Sequence, residues 1–142
     1  MADEGEPRFL DLEVCSEKEA DVVILPLPLE RTVSYGSGTG GAPRTILEAS
    51  HQVETFDEET LTDFGETPRI HTAGVLQPGE GGLRAYLDLV KVHAEGLRSR
   101  FVLGLGGEHT VMYGLVRGLA PNLSELTLVQ IDAHADLADE LD

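Results

Sequence analysis

Apolar residues in this chain fall into short unbroken runs separated by amphipathic or polar stretches, and the runs predict the elements. Val22-Val23-Ile24-Leu25 is β-branched and apolar throughout, which predicts a buried strand closed by Pro26 and Pro28, residues that cannot donate to a ladder. A glycine-rich loop follows, Tyr35-Gly36-Ser37-Gly38-Thr39-Gly40-Gly41. Pro43 then suits the first turn of a helix through about Gln52, where its missing N–H is not needed. Val53-Glu54-Thr55-Phe56 predicts a second strand, Asp57 to Pro68 an acidic loop, and Ile70 to Val75 a third strand. Residues 79–98 carry the clearest helical pattern, with Leu83, Tyr86, Leu87, Val90, Ala94 and Leu97 on one face. Phe101-Val102-Leu103-Gly104-Leu105 predicts a continuous apolar strand, Thr110 to Leu119 a short helix, and Leu126-Thr127-Leu128-Val129-Gln130-Ile131 a further strand.

Strands alternating with helices, several of them apolar on both faces, predict an α/β domain whose parallel sheet is covered on both sides. Residues 1–20 read as a polar, loosely attached segment, and residues 21–142 as the domain. No helix follows Ile131 to cover the last strand, so the pattern reads as an α/β fold truncated at Asp142.

Composition narrows the function classes. At 142 residues and 41% hydrophobic, the chain can bury one ordinary core. No apolar run reaches membrane-spanning length, and the acidic start Met1-Ala2-Asp3-Glu4-Gly5-Glu6 is unlike a secretory signal, so a cytoplasmic protein with no membrane partner is expected. The single cysteine, Cys15, can form neither an internal disulfide nor a thiolate cage, and reads as a packing residue. The net charge of -16 repels nucleic-acid phosphates and attracts cationic substrates and metal ions, although solubility alone accounts for it. Lys18 and Lys91 are the only lysines, and this scarcity beside the excess acid suggests adaptation to high salt.

Chemistry-bearing residues gather after the two most apolar C-terminal runs. Asp132-Ala133-His134-Ala135-Asp136 follows one of them immediately, where ligands of open α/β sheets bind. Alternate residues of an extended segment point one way, so Asp132, His134 and Asp136 can face one point, and carboxylates with imidazole suit a borderline divalent metal such as manganese or zinc. A solvated acidic loop is the plainer alternative. Gly104-Leu105-Gly106-Gly107-Glu108-His109 follows the other run. Its glycines allow a sharp turn and close backbone approach, and His109 would stand at the start of the next helix. The two motifs meet only if their strands are neighbours.

Gly106-Gly107-Glu108-His109-Thr110 followed by Asp132-Ala133-His134-Ala135-Asp136 resembles the ureohydrolase family, which includes agmatinase and arginase. The stretch Gly38-Thr39-Gly40-Gly41-Ala42-Pro43-Arg44-Thr45-Ile46-Leu47-Glu48-Ala49-Ser50 is similar to that family's glycine-rich loop and Pro-x-x-Ile helix, and the matches run from about residue 22 to 140. The resemblance implies a three-layer α/β/α fold, a homo-oligomer, and two Mn²⁺ ions per complete site. It implies that His109 and Asp136 bind one metal, that His134 binds the other, and that Asp132 bridges them. No side chain is then assigned as catalytic. The nucleophile implied is a hydroxide shared by the metals, attacking the guanidinium carbon of a small guanidino substrate to give urea and an amine; two cations lower the pKa of a shared water and hold it in place. Glu108 and Thr110 stand where the family commonly has Asp and Ser, replacements that keep the polar character. The acidic residues Asp139 and Glu140 after the second motif look more like agmatinases than arginases. The family's second half carries an Asp-x-Asp motif, a histidine and a glutamate that are absent here, so activity is expected of the full-length protein and little or none of this chain alone.

Other readings are kept beside this one. Gly36 to Gly41 matches a dinucleotide-binding pattern, but it lies well past Leu25 and beyond two prolines, so a structural glycine loop is the better reading. His51, His71 and His93 have no ligand-type neighbours at useful spacing and read as structural or surface residues. Arg44 is placed to pair with Glu48 one turn on. Glu108 and Asp139 either support the ligands from a second layer, Glu108 by orienting His109, or are plain solvated acids. A Zn²⁺ deacetylase of the same broad fold, and a non-catalytic oligomeric subunit that retains half a metal site, remain the alternative functions.

Overall fold

A computed structural model describes residues 5–12, 15–65 and 67–136. Three parallel strands form the sheet: β1 (Val22–Leu27), β4 (Ile70–Thr72) and β5 (Phe101–Gly106), in the order β4-β1-β5. The helices are α1 (Ala42–Ser50), α2 (Gly82–Gly96) and α3 (Val111–Leu119), and a two-residue antiparallel pair, β2 (Phe56–Asp57) and β3 (Thr62–Asp63), stands apart from the sheet.

β1 is central, paired with β4 through Val22 to Ile24 and with β5 along its whole length. It also runs two residues further than its sequence predicts, straight through Pro26. The reason lies in the pairing. The carbonyls of Ile24 and Pro26 face the β4 side, accepting from Ala73 and Leu76 N–H, while that of Leu27 faces β5 and accepts from Gly107 N–H. The donor that Pro26 lacks therefore falls on the side where the paired register of β4 has already ended.

Alternation along β1 divides two layers. Val23, Leu25 and Leu27 are fully buried in one core with Tyr86 and Val90 of α2, Leu97, Ala20 and Val111. Burying side chains of this kind stabilises the fold by about 1.5–3 kcal/mol each. The α2 stripe is the one its periodicity predicts. Ile24 and Pro26 face the other way, and Pro26 lines a groove with Pro43 and Leu47 of α1. α3 lies against α2 through Gly114 and Gly118, where any Cβ would press on Leu87 O and Val90 or on Lys91 O and Ala94.

Three expectations need correction. The segment Leu126–Ile131 is not a strand: it has no ladder partner among the described residues, and Val129 and Ile131 are 77% and 98% exposed. A strand-forming composition sets a preference, but pairing and burial decide the outcome, and this run has neither. Val53–Thr55 is likewise outside any strand, and the predicted acidic loop holds the β2–β3 pair, closed by Asp57 accepting from Glu59 N–H and the Thr60 hydroxyl. Finally, the described residues of the N-terminal segment are anchored rather than loose. Phe9 and Leu10 N–H donate to the hydroxyls of Thr72 and Ser50, and the ring nitrogens of His51 and His71 bond the carbonyls of Arg8 and Cys15, each at 2.8 Å. Arg100 donates to the carbonyls of Glu17 and Lys18.

Candidate metal centre

The chain leaves β1 for β4 on one side and then returns across the sheet to β5 on the other, so the strand order reverses between β1 and β5. A crevice beyond the carboxyl ends of strands at such a reversal is where open α/β sheets bind ligands. The loop after β1 (28–41) and the loop after β5 (107–110) meet there.

The two loops are interlocked. Gly107 N–H donates to Leu27 O at 3.1 Å, and a Cβ on Gly107 would lie 2.8 Å from Thr39 O and closer still to Leu29 O, so only glycine fits. The Glu108 carboxylate accepts from Thr32 N–H at 2.9 Å and, at shorter range, from Arg31 N–H and the Thr32 hydroxyl. Burial pushes its carboxyl up, but the Thr32 and Arg31 hydrogen bonds, with His109 nearby, hold it below the ordinary glutamate value overall. Glu108 thus faces the loop after β1, and no hydrogen bond joins it to the His109 ring among the described residues. Asp139 lies outside them.

His109 stands just before α3, with its side chain 67% exposed and Nε2 3.8 Å from Asp136 Oδ2. One ligand atom each from His109, Asp132 and Asp136 lie within 4.8 Å of one another. His134 is not in that trio. Its ring is 82% exposed, with Nδ1 3.5 Å from Asp132 Oδ1. Its backbone N–H donates to the same Asp132 oxygen at 2.9 Å, and this bond holds the Asp132 carboxyl below its usual range. Gln130 donates to Asp136 Oδ2 at 2.9 Å. The geometry therefore brings together three of the four residues singled out from sequence and leaves the fourth beside one of them. An imidazole with two carboxylates is a donor set that fits a divalent cation such as Mn²⁺ or Zn²⁺.

The remaining candidates take structural places. Arg44 Nε pairs with Glu48 at 2.8 Å, as its spacing predicts. In the glycine loop, Glu30 accepts from Gly38 and Gly40 N–H, each at 2.7 Å, so a carboxylate of the chain itself occupies donors that a phosphate would need. His93 Nε2 lies 4.0 Å from Glu17, on the N-terminal segment. Glu30, Arg31 and Thr32 are the residues of this region that sequence reasoning passed over. Their partners lie far along the chain or across an irregular loop, and no local pattern marks them.

The Arginase family profile matches residues 20–142. The chain belongs to the arginase family. Among curated proteins, this arginase-family chain is 35% identical to the N(1)-aminopropylagmatine ureohydrolase of Synechocystis sp., a match covering 97% of the chain and 48% of that protein. It is 32% identical to the agmatinase of Bacillus anthracis, covering 86% of the chain and 42% of the relative. The chain thus spans about half the length of the curated relatives it matches. The solved agmatine ureohydrolase of Thermoplasma volcanium superposes with a TM-score of 0.69 at 26% identity, over 75% of this chain and 36% of that one. A Clostridium difficile protein superposes with a TM-score of 0.80 over 89% and 46%, and at 20% identity it bears on the fold alone. The parallel sheet with flanking helices is the arginase-family fold.

Proposed function

We propose that this chain supplies part of a binuclear Mn²⁺ centre that hydrolyses a guanidino compound to urea and an amine. His109, Asp132 and Asp136 would hold metal, with His134 contributing from its place beside Asp132. The observation that carries the reading is the convergence of His109 with Asp132 and Asp136 at the sheet's reversal point, residues drawn from two separate motifs. Bound there, divalent cations would supply Lewis acidity and acidify a water. The chain's own contribution is to orient the imidazole from the base of α3 and to present carboxylates that offset the cations' charge. The names of the relatives support agmatine or its aminopropyl derivative as substrate. Either cation would be drawn by the field of a chain carrying -16 net charge. The activity is assigned to the whole protein, assembled as a homo-oligomer and long enough to complete both ligand sets.

The test is urea release from agmatine and from N1-aminopropylagmatine by the full-length protein, with and without a chelator, alongside acetate release from an acetylated polyamine. Chelator-sensitive urea release is expected. Acetate release without urea would instead favour the deacetylase reading.

A further inference from the structure

Two loops meet at the candidate centre, yet only one of them carries a proposed ligand. The loop after β5 presents His109. The loop after β1 carries none of the four, but it is held against its neighbour by several hydrogen bonds. Glu108 is the hub. Its carboxylate takes both backbone donors of Arg31 and Thr32 together with the Thr32 hydroxyl. The same hydroxyl lies 3.2 Å from the hydroxyl of Thr110. Thr32 is thereby bonded to the residues on both sides of His109. The far side of the loop is fixed as well: Arg31 donates to Gly79 O at 2.6 Å, and Glu30 closes the loop on Gly38 and Gly40. Between the two loops lies a groove of about 230 Å³, with Thr32, Val33 and Ser34 on one wall and His109 and Thr110 on the other.

A solvated acid would not be placed this way. Three hydrogen bonds to one carboxylate, two of them from backbone N–H groups, fix the peptide that precedes His109, and Thr32 fixes the one that follows it. A mostly exposed imidazole on a short loop otherwise has wide freedom of position, and a ligand that must be ordered on binding weakens the affinity it gives.

We propose that Glu108 is a positioning residue. By tethering the β5–α3 loop to Arg31 and Thr32 it sets the place of the His109 imidazole for metal binding, and it holds Thr32 to Ser34 as the facing wall of the groove. The proposal rests on the metal reading above. Glu108 stands outside the converging group of His109, Asp132 and Asp136, and its oxygens are taken up by Arg31 and Thr32; its role is therefore assigned to hydrogen-bond geometry rather than charge, and glutamine should serve where alanine does not. Glutamine keeps one carbonyl oxygen for the two backbone donors, and its amide can donate to the Thr32 hydroxyl.

The experiment titrates MnCl₂ into the purified full-length protein and follows paramagnetic broadening of the His109 ring resonances by NMR. Wild type should show broadening at His109. Glu108→Ala should weaken the response by about tenfold, Glu108→Gln should stay within about twofold of wild type, and Thr32→Val should fall between them. Glu108→Ala combined with Thr32→Val should cost little more than Glu108→Ala, because both cut one tether. Should Glu108→Ala fail to fold by circular dichroism, Thr32→Val carries the same test from the other end of the bond. An unchanged response in Glu108→Ala, or in Thr32→Val where it stands in, overturns the inference and leaves the metal reading standing. A Glu108→Gln as weak as Glu108→Ala also overturns it, since charge would then be the cause. Absence of broadening at His109 in wild type overturns the metal reading, and the positioning role with it.

Discussion

His109 Nε2 and Asp136 Oδ2 stand 3.8 Å apart, although one residue closes the loop after β5 and the other lies beyond the irregular segment that follows α3. Asp136 reaches this place with a left-handed backbone, φ 51°, a conformation aspartate tolerates better than most residues. In the proposed centre His109→Ala removes a donor and Asp136→Asn removes an anionic one, leaving a neutral carbonyl oxygen, so each should lower Mn²⁺ affinity by about tenfold or more. His93→Ala, whose ring faces the N-terminal segment, should leave it unchanged. Metal content by atomic absorption after dialysis against a fixed Mn²⁺ concentration checks all three, and wild-type loading in either ligand variant would end the assignment.

Gly107 is the tightest point between the two loops. A methyl group there must displace backbone of Leu29 and Thr39. Gly107→Ala should destabilise by about 1–3 kcal/mol. Gly74→Ala, where a Cβ meets nothing within 4 Å, should stay within about 0.5 kcal/mol of wild type. Paired urea melts compare the two, and equal midpoints would show that the loops are not locked as described.

Tyr86 is 2% exposed and donates its hydroxyl to Leu76 O at 2.8 Å. Burial pushes its phenol up from 10.0 to about 12. The folded state therefore holds the proton more tightly than the unfolded chain. This contribution to stability is complete below pH 10 and is lost as pH rises towards 12. Tyr86→Phe should cost about 1 kcal/mol at neutral pH, through the orphaned carbonyl, and should flatten the alkaline loss between those limits. Denaturation midpoints across that range, for both proteins, test the sign.

The charge of -16 makes self-repulsion a standing cost of the compact state. Raising salt from 0.1 M to 1 M shortens the screening length from about 10 Å to about 3 Å. The melting temperature should therefore climb with NaCl. A flat or falling curve would remove the high-salt interpretation of the lysine-poor composition.

Much of the sheet was legible in the sequence as unbroken apolar runs: Val22 to Leu25 reflects burial of the central strand on both faces, while Phe101 to Leu105 is equally apolar although Phe101 and Leu103 are exposed. The α2 stripe was equally plain. Pro26 misled, because whether a proline ends a strand depends on which neighbour its missing donor faces, and that is a property of the pairing. Leu126 to Ile131 misled in the opposite sense: its composition suits a strand, but composition supplies no partner. At the candidate centre the imidazoles and carboxylates of the two motifs stood out by their spacing. The tether between Glu108 and Thr32 did not, since nothing in a one-dimensional pattern relates a loop acid to a threonine 76 positions away.

The N-terminal segment is gripped in a particular way. His51, His71 and Arg100 hold the carbonyls of Arg8, Cys15, Glu17 and Lys18, and Ser50 and Thr72 take the amide hydrogens of Leu10 and Phe9. Every one of these bonds ends on main-chain atoms, which all residues but proline possess alike. At these clasped positions, Cys15 with its packed thiol apart, the side chains can be exchanged at little cost, while a single inserted or deleted residue between two clasps would throw one of them onto the wrong peptide.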